Sequence, residues 1–198
     1  MKKVILTVMI LMIAVFSTAC INNFAVQELN NKAKSYLDQG NYNAAISRLQ
    51  ASIDLDNTIF ETHYNLGIAC TNAEKYPEAI KAFNDAIKIK PEIKDTYYSL
   101  AVAEENYART LYSKKYKVIQ NPDGSEKLEF TSREEVLDMF KNAMNSYNNF
   151  LNMQPAQDEI ALVNKQIDRI KTDMEEVELQ VWVDPVLPSD QDLNNKKQ

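Results

Sequence analysis

Residues 63–91 read HYNLGIACTNAEKYPEAIKAFNDAIKIKP, and the same pattern of small and large apolar residues recurs on both sides of this segment. Ala45 and Ala79 are 34 residues apart, and small residues at positions 33, 67 and 101 continue that period. A fixed period of this length with helical patterning is typical of stacked helix-turn-helix units. The sequence therefore predicts an array in which each unit buries its apolar face against a neighbour.

Small residues are expected wherever two helices of one unit cross, because a larger side chain would hold the helices apart. They recur at Ala33, Gly67, Ala101, Ala45 and Ala79. Pro91 and Pro155 are predicted to end second helices, since proline lacks an N–H and clashes with the preceding turn.

On these residues the chain resembles the tetratricopeptide repeat family, over about residues 26–155. The resemblance implies an all-α fold, a helix-turn-helix solenoid of about three repeats at 26–59, 60–93 and 94–155. In that family the first helix of each repeat lines a concave groove that binds partner proteins or peptides. Carrying the positions across residue by residue gives Gln27, Asn30, Asn31, Lys34, Tyr64, Asn65, Ile68, Asn72, Tyr98, Ser99, Val102 and Asn106.

Asparagine both donates to and accepts from a peptide backbone, and tyrosine adds apolar area with a polar tip. The alternative is that these asparagines only solvate a helix face. Chaperone-binding members of the family hold a terminal carboxylate with Lys and Arg, and the corresponding positions here are Asn30, Asp95 and Ser99, with only Asn65 matching. The resemblance therefore argues against a carboxylate clamp.

The third repeat is interrupted at about residues 114–131. β-prone segments on both sides of Asn121-Pro-Asp-Gly124 predict a small β-hairpin inserted between the two helices. After Pro155, an apolar stripe runs along a predicted capping helix at 157–179: Ile160, Val163, Ile167, Ile170, Met174 and Val177. The stripe favours a monomer whose last repeat is capped, and a dimer formed through the C-terminal helix is the alternative.

Basic Lys2 and Lys3, an apolar run and then Ser17-Thr-Ala-Cys20 open the chain. This order resembles a bacterial lipoprotein signal, which implies a signal peptide at 1–19 and lipid on Cys20, palmitate being one such acyl group. A linker at 20–25, one repeat domain at 26–180 and a flexible tail at 181–198 complete the predicted organisation. Cleavage by ordinary signal peptidase, which would release a soluble protein, and an uncleaved anchor are the alternatives.

The formal net charge is −6, from 22 basic and 28 acidic residues, so the sequence predicts no nucleic-acid partner. The lone His63 and Cys70, the only thiol that remains once Cys20 carries lipid, are interpreted as packing residues, and Glu104-Glu105 as part of a solvated face. No catalytic residues, metal site or cofactor are expected.

The interpretation is a non-catalytic protein-binding scaffold of the bacterial cell envelope. It is expected on the outer membrane facing the periplasm, with the cell surface as a second possibility. An accessory ligand-binding subunit of an envelope transporter or enzyme system, with a pocket near the hairpin, is the alternative function.

Overall fold

Helices account for most of residues 23–120 and 124–180, the part of the chain that the computed structural model describes. These residues form seven helices and one antiparallel pair of strands. The chain divides into two compact units, Met1–Ser99 and Leu100–Gln198. The predicted signal peptide with Cys20 and the predicted tail lie outside the described residues. The single domain predicted at 26–180 stays a prediction.

Helices of the first unit follow one another through short turns. Helix α1 covers residues 23–38, and α2 (Tyr42–Leu55), α3 (Phe60–Asn72) and α4 (Tyr76–Ile89) complete two helix pairs, after which α5 (Lys94–Lys114) begins.

The two helix pairs turn in the same way. Gly40 and Glu74, one repeat apart, both have positive φ, at 71° and 57°. Glycine adopts this left-handed conformation freely, whereas it costs a residue such as Glu74 about 1 kcal/mol. The repeated turn is therefore imposed by the packing of the helices and not by one residue type.

The core of the first unit forms where the small residues were predicted. Ala33, Ala45 and Ala79 are fully buried, and Gly67 of α3 lies directly against the ring of Phe83 on α4. A Cβ at position 67 would stand 2.5 Å from Cε1 of that ring. The absence of a side chain at Gly67 thus sets how closely α3 and α4 approach.

The second unit contains the inserted hairpin and the last two helices. Strands β1 (Tyr116–Gln120) and β2 (Glu126–Phe130) pair with Val118 opposite Leu128, which confirms the small hairpin as a single strand pair. The side chains of most strand residues and the turn at 121–123 lie outside the described part.

Helices α6 (Arg133–Leu151) and α7 (Gln157–Leu179) follow the hairpin. A capping box starts α6, in which Ser132 Oγ accepts from the Glu135 backbone N–H and the Glu135 carboxylate accepts from the Ser132 N–H.

The apolar stripe of α7 is covered within the chain. Its residues Val163, Ile167, Ile170 and Val177 are buried. This burial agrees with the predicted capping role, and a dimer formed through the C-terminal helix stays an alternative prediction.

Two polar features differ from expectation. Glu104 and Glu105 are 7% and 4% exposed, so they do not form a solvated face. Asn30 is turned into the contact between helices and does not line a groove with Asn31, which is exposed. In both cases buried hydroxyl groups from other helices supply partners that the local sequence does not reveal.

Within the described ranges, no helix combines the length and apolar character needed to cross a bilayer.

Candidate peptide-binding groove

Tyr64 is the most firmly positioned of the predicted groove residues. Its ring stacks on Phe60 one turn earlier in α3, with centroids 5.8 Å apart, and meets the Phe83 ring of α4 edge-on at 5.9 Å. The Tyr64 hydroxyl is 3.4 Å from Ser99 Oγ on α5. Aromatic contacts of this kind fix the ring plane, so half-buried Tyr64 presents one orientation to anything that binds beside it.

The other α3 residues of the set follow Tyr64 along the helix. Asn65 and Ile68 are half-buried and Asn72 is exposed. Asn72 Nδ2 donates to the Ile68 carbonyl at 2.9 Å, a bond within one turn of helix that a bound peptide would have to replace. Asn31 of α1 is exposed as well.

On α5, Tyr98 is half-buried and precedes Ser99. The contact between Tyr64 and Ser99 places the start of α5 beside the face of α3 that carries Tyr64, within the first unit. Val102 and Asn106 are half-buried and lie one and two turns further along α5, in the second unit. The first unit thus brings together Tyr64, the α3 residues after it and the beginning of α5.

Asn30 instead joins three helices of the first unit. Its Nδ2 lies 2.9 Å from Val26 O of α1, 2.8 Å from Ser52 Oγ of α2 and 3.0 Å from Thr62 Oγ1 of α3, so its two N–H groups are shared among three acceptors. Ser52 and Thr62 are fully buried. Buried polar groups require partners, so Asn30 has a structural role. Hydroxyl residues at core positions of the repeat were the signal that sequence reasoning overlooked.

The charged side chains described beside the Tyr64 face of α3 lie at the start of that helix and not at its middle. Lys90 Nζ is 2.9 Å from Glu61 Oε1 and 5.0 Å from the centre of the Phe60 ring. The hydrogen bond from Lys90 lowers the pKa of Glu61. Exposed pairs of this kind contribute less than about 1 kcal/mol, so recognition in the middle of this face depends on uncharged side chains.

His63 and Cys70, on the same helix, are packing residues, as the sequence predicted. His63 is buried with Nε2 2.8 Å from the Asn57 carbonyl oxygen. Burial raises the pKa of the Cys70 thiol to about 11, which keeps it protonated and unreactive at neutral pH.

A small cavity of about 130 Å³ lies between α2, α3 and α4, and it is lined by Gln50, Ile53, His63, Leu66, Glu78, Lys81, Ala82 and Asp85. Sites for small molecules usually span about 300–1,000 Å³, so this cavity is small for one. Among the residues that the structure describes, no three or more acidic, histidine or cysteine side chains cluster as metal ligands.

Comparisons with known proteins identify the repeats. A tetratricopeptide repeat model matches residues 60–93 and a TPR repeat model matches residues 33–72. The TPR repeat-containing protein MJ1428 of Methanocaldococcus jannaschii is 30% identical over 106 residues, which are 54% of this chain and 18% of that protein. The chain therefore spans less than a fifth of that relative's length.

Solved structures show the same fold. The first TPR of Spaghetti (RPAP3) bound to the HSP90 peptide SRMEEVD has a TM-score of 0.54 at 17% identity, over 76% of this chain and 93% of that one. The Arabidopsis OM64 TPR domain has a TM-score of 0.56 at 14% identity, over 75% and 98%. The predicted all-α tetratricopeptide fold is thereby confirmed, and the two repeat models together match residues 33–93.

Proposed function

We propose that this protein is a non-catalytic scaffold that binds an extended segment of a partner protein along α3 and the start of α5. It is held by lipid on Cys20 in the cell envelope of a bacterium, on the outer membrane facing the periplasm. The binding proposal rests on the fixed orientation of Tyr64, which packs against two aromatic rings and contacts Ser99. The uncharged residues Asn65, Ile68 and Asn72 follow Tyr64 along α3.

An extended peptide offers backbone N–H and C=O groups at regular intervals. Asn65 and Asn72 on α3 each carry both a donor and an acceptor, and Ile68 lies between them. Tyr64 and Tyr98 add aromatic area at low entropic cost. This combination suits a main chain of loosely defined sequence better than a single charged group.

The binding mode differs from a carboxylate clamp. Asn30 is engaged inside the helix contact, and Asp95 and Ser99 carry no positive charge at the other two corresponding positions. The related structure named above holds an HSP90 peptide ending in EEVD. For this chain we infer an internal segment, whose recognition does not depend on a free C-terminus.

A further feature favours a scaffold over an enzyme. Catalysis would require converging reactive groups, whereas His63 and Cys70 are engaged in packing. The lipid anchor is supported by Lys2, Lys3 and the small residues before Cys20.

Site-specific photo-cross-linking in cells tests the proposal. A photoreactive residue at exposed Asn72 of α3 is expected to capture a discrete partner, identified by mass spectrometry. The same residue at exposed Lys81 of α4, the second helix of that repeat, is the matched control and should capture none. Equal capture from both positions, or capture only from Lys127 in the hairpin, would contradict the proposed groove.

A further inference from the structure

Glu104 and Glu105, neighbours on α5, are both buried in the second unit but have unequal partners. Glu105 Oε1 accepts from Arg109 Nη2 and from Arg169 Nη2, each at 2.9 Å, and Glu105 Oε2 accepts from the Tyr147 hydroxyl at 2.9 Å. Two guanidinium groups thus compensate the Glu105 carboxylate.

Glu104 has no such compensation. Ser146 Oγ of α6 donates to Glu104 Oε2 at 2.7 Å, and a hydroxyl is neutral. Burial raises the pKa of Glu104 from its ordinary value of 4.5 to about 7, and the Ser146 hydrogen bond offsets part of that rise. When Glu104 is protonated, its own O–H can donate to Ser146 Oγ, so the contact persists without a buried charge.

The arginine side chains near Glu104 form ion pairs with Glu105, the neighbouring carboxylate. On α5, Arg109 binds Glu105; on α7, Arg169 binds Glu105 and Asp173 lies 2.6 Å from Arg109. On α6, Tyr147 faces Glu105 and Ser146 faces Glu104. Burial raises the Glu104 pKa and the Ser146 hydrogen bond lowers it, and burial is the larger of these two effects.

We propose that Glu104 and Ser146 form a proton-operated contact between α5 and α6. The helices pack with Glu104 neutral, and loss of its proton places an uncompensated negative charge in their interface and loosens it. The contacts of Glu105 with Arg109, Arg169 and Tyr147 form the part of the interface that stays packed, because the two guanidinium groups balance the charge of the Glu105 carboxylate.

The direction of the pH dependence follows from linkage. The folded protein binds the Glu104 proton more tightly than the unfolded chain does, so the contribution of Glu104 to stability is complete below pH 4.5. It is lost progressively as the pH rises through about 7. Each unit of pKa difference between the unfolded and the folded state changes the folding equilibrium constant tenfold. A rise of the Glu104 pKa from 4.5 to about 7 therefore lowers that constant by at most about 300-fold at high pH.

Urea unfolding of the full chain between pH 5 and pH 8 tests the device. We expect the folding equilibrium of the wild type to fall by about 70-fold over this range, and Glu104→Gln, which is neutral at every pH, to remove most of that fall. Glu178→Gln makes the same chemical change at an exposed position of α7 and should keep the wild-type slope.

A second measurement does not depend on the folding of the variant. In the wild type labelled with ¹³C in its glutamate side chains, one carboxyl resonance should titrate near pH 7. Ser146→Ala should move that midpoint upward, because it removes the bond that lowers the pKa. An unaltered pH slope in Glu104→Gln overturns the proposal. So does a wild-type spectrum in which every glutamate titrates below pH 6.

Discussion

Replacing Gly67 by alanine is expected to destabilise the first unit even though alanine is the better helix former. The new Cβ would stand 2.5, 2.6 and 2.7 Å from Cε1, Cδ1 and Cζ of the Phe83 ring. Ordinary carbon contacts are about 3.5–4.0 Å. The Phe83 side chain is fully buried, so the ring cannot turn into solvent, and α3 must move away from α4 instead.

The magnitude follows from two opposing effects. Overpacking a tight core contact costs about 1–3 kcal/mol, and contact with three ring atoms places Gly67→Ala at the upper end of that range. The higher helix propensity of alanine returns about 1 kcal/mol. The expected net loss in the free energy of unfolding is about 2 kcal/mol.

Urea unfolding followed by circular dichroism measures this loss. Lys81→Ala, at an exposed position of α4, is the control and should change the free energy of unfolding by less than about 0.5 kcal/mol.

A double-mutant cycle with Phe83→Leu identifies the clashing group, because the smaller side chain relieves the contact. The pair of substitutions should then cost at least about 1 kcal/mol less than their sum. A Gly67→Ala variant more stable than the wild type, or strict additivity with Phe83→Leu, would refute the reasoning.

Three further outcomes are expected. Ala79→Leu should lower the free energy of unfolding by about 1–3 kcal/mol in the same urea assay, because Ala79 is fully buried at a helix contact; an unchanged midpoint would contradict this. Glu105→Ala should cost about 2–4 kcal/mol because it removes a buried carboxylate that accepts from the Tyr147 hydroxyl and from two guanidinium groups, whereas Arg169→Ala, whose side chain is 57% exposed, should cost less than about 1 kcal/mol; equal losses would show that the cluster is not centred on Glu105. Cys20→Ser should move the protein from the detergent phase to the aqueous phase on phase partitioning, and equal partitioning of variant and wild type would reject the lipid anchor.

The packing of the repeats could be predicted from sequence because it depends on period and size. A small residue every 34 positions marks a helix crossing whatever its neighbours are, so Gly67 and Ala79 were placed correctly. The stripe of α7 was predictable for the same reason, since its spacing is a property of one helix. Turn residues at 121–124 likewise predicted the strand pair on either side of them.

Buried polar contacts could not be predicted because they join residues distant in sequence. Arg169 reaches Glu105 across 64 positions, and Ser146 reaches Glu104 across 42. Seen alone, two adjacent acidic residues on a helix indicate a solvated face. Asn30 shows the same limit at the candidate groove, because its partners Ser52 and Thr62 lie on two other helices.

The proposed groove is tested most directly by the affinity of the captured partner for a paired variant. Calorimetry should show that Asn65→Ala with Tyr98→Ala weakens binding by about 2–4 kcal/mol, through lost hydrogen bonds and a lost aromatic anchor. Circular dichroism should show that the helices are intact. Replacing residues 117–129 by a short Gly-Ser linker should leave the affinity unchanged. Undiminished binding by the paired variant, together with loss of binding in the linker variant, would contradict the groove and assign recognition to the hairpin.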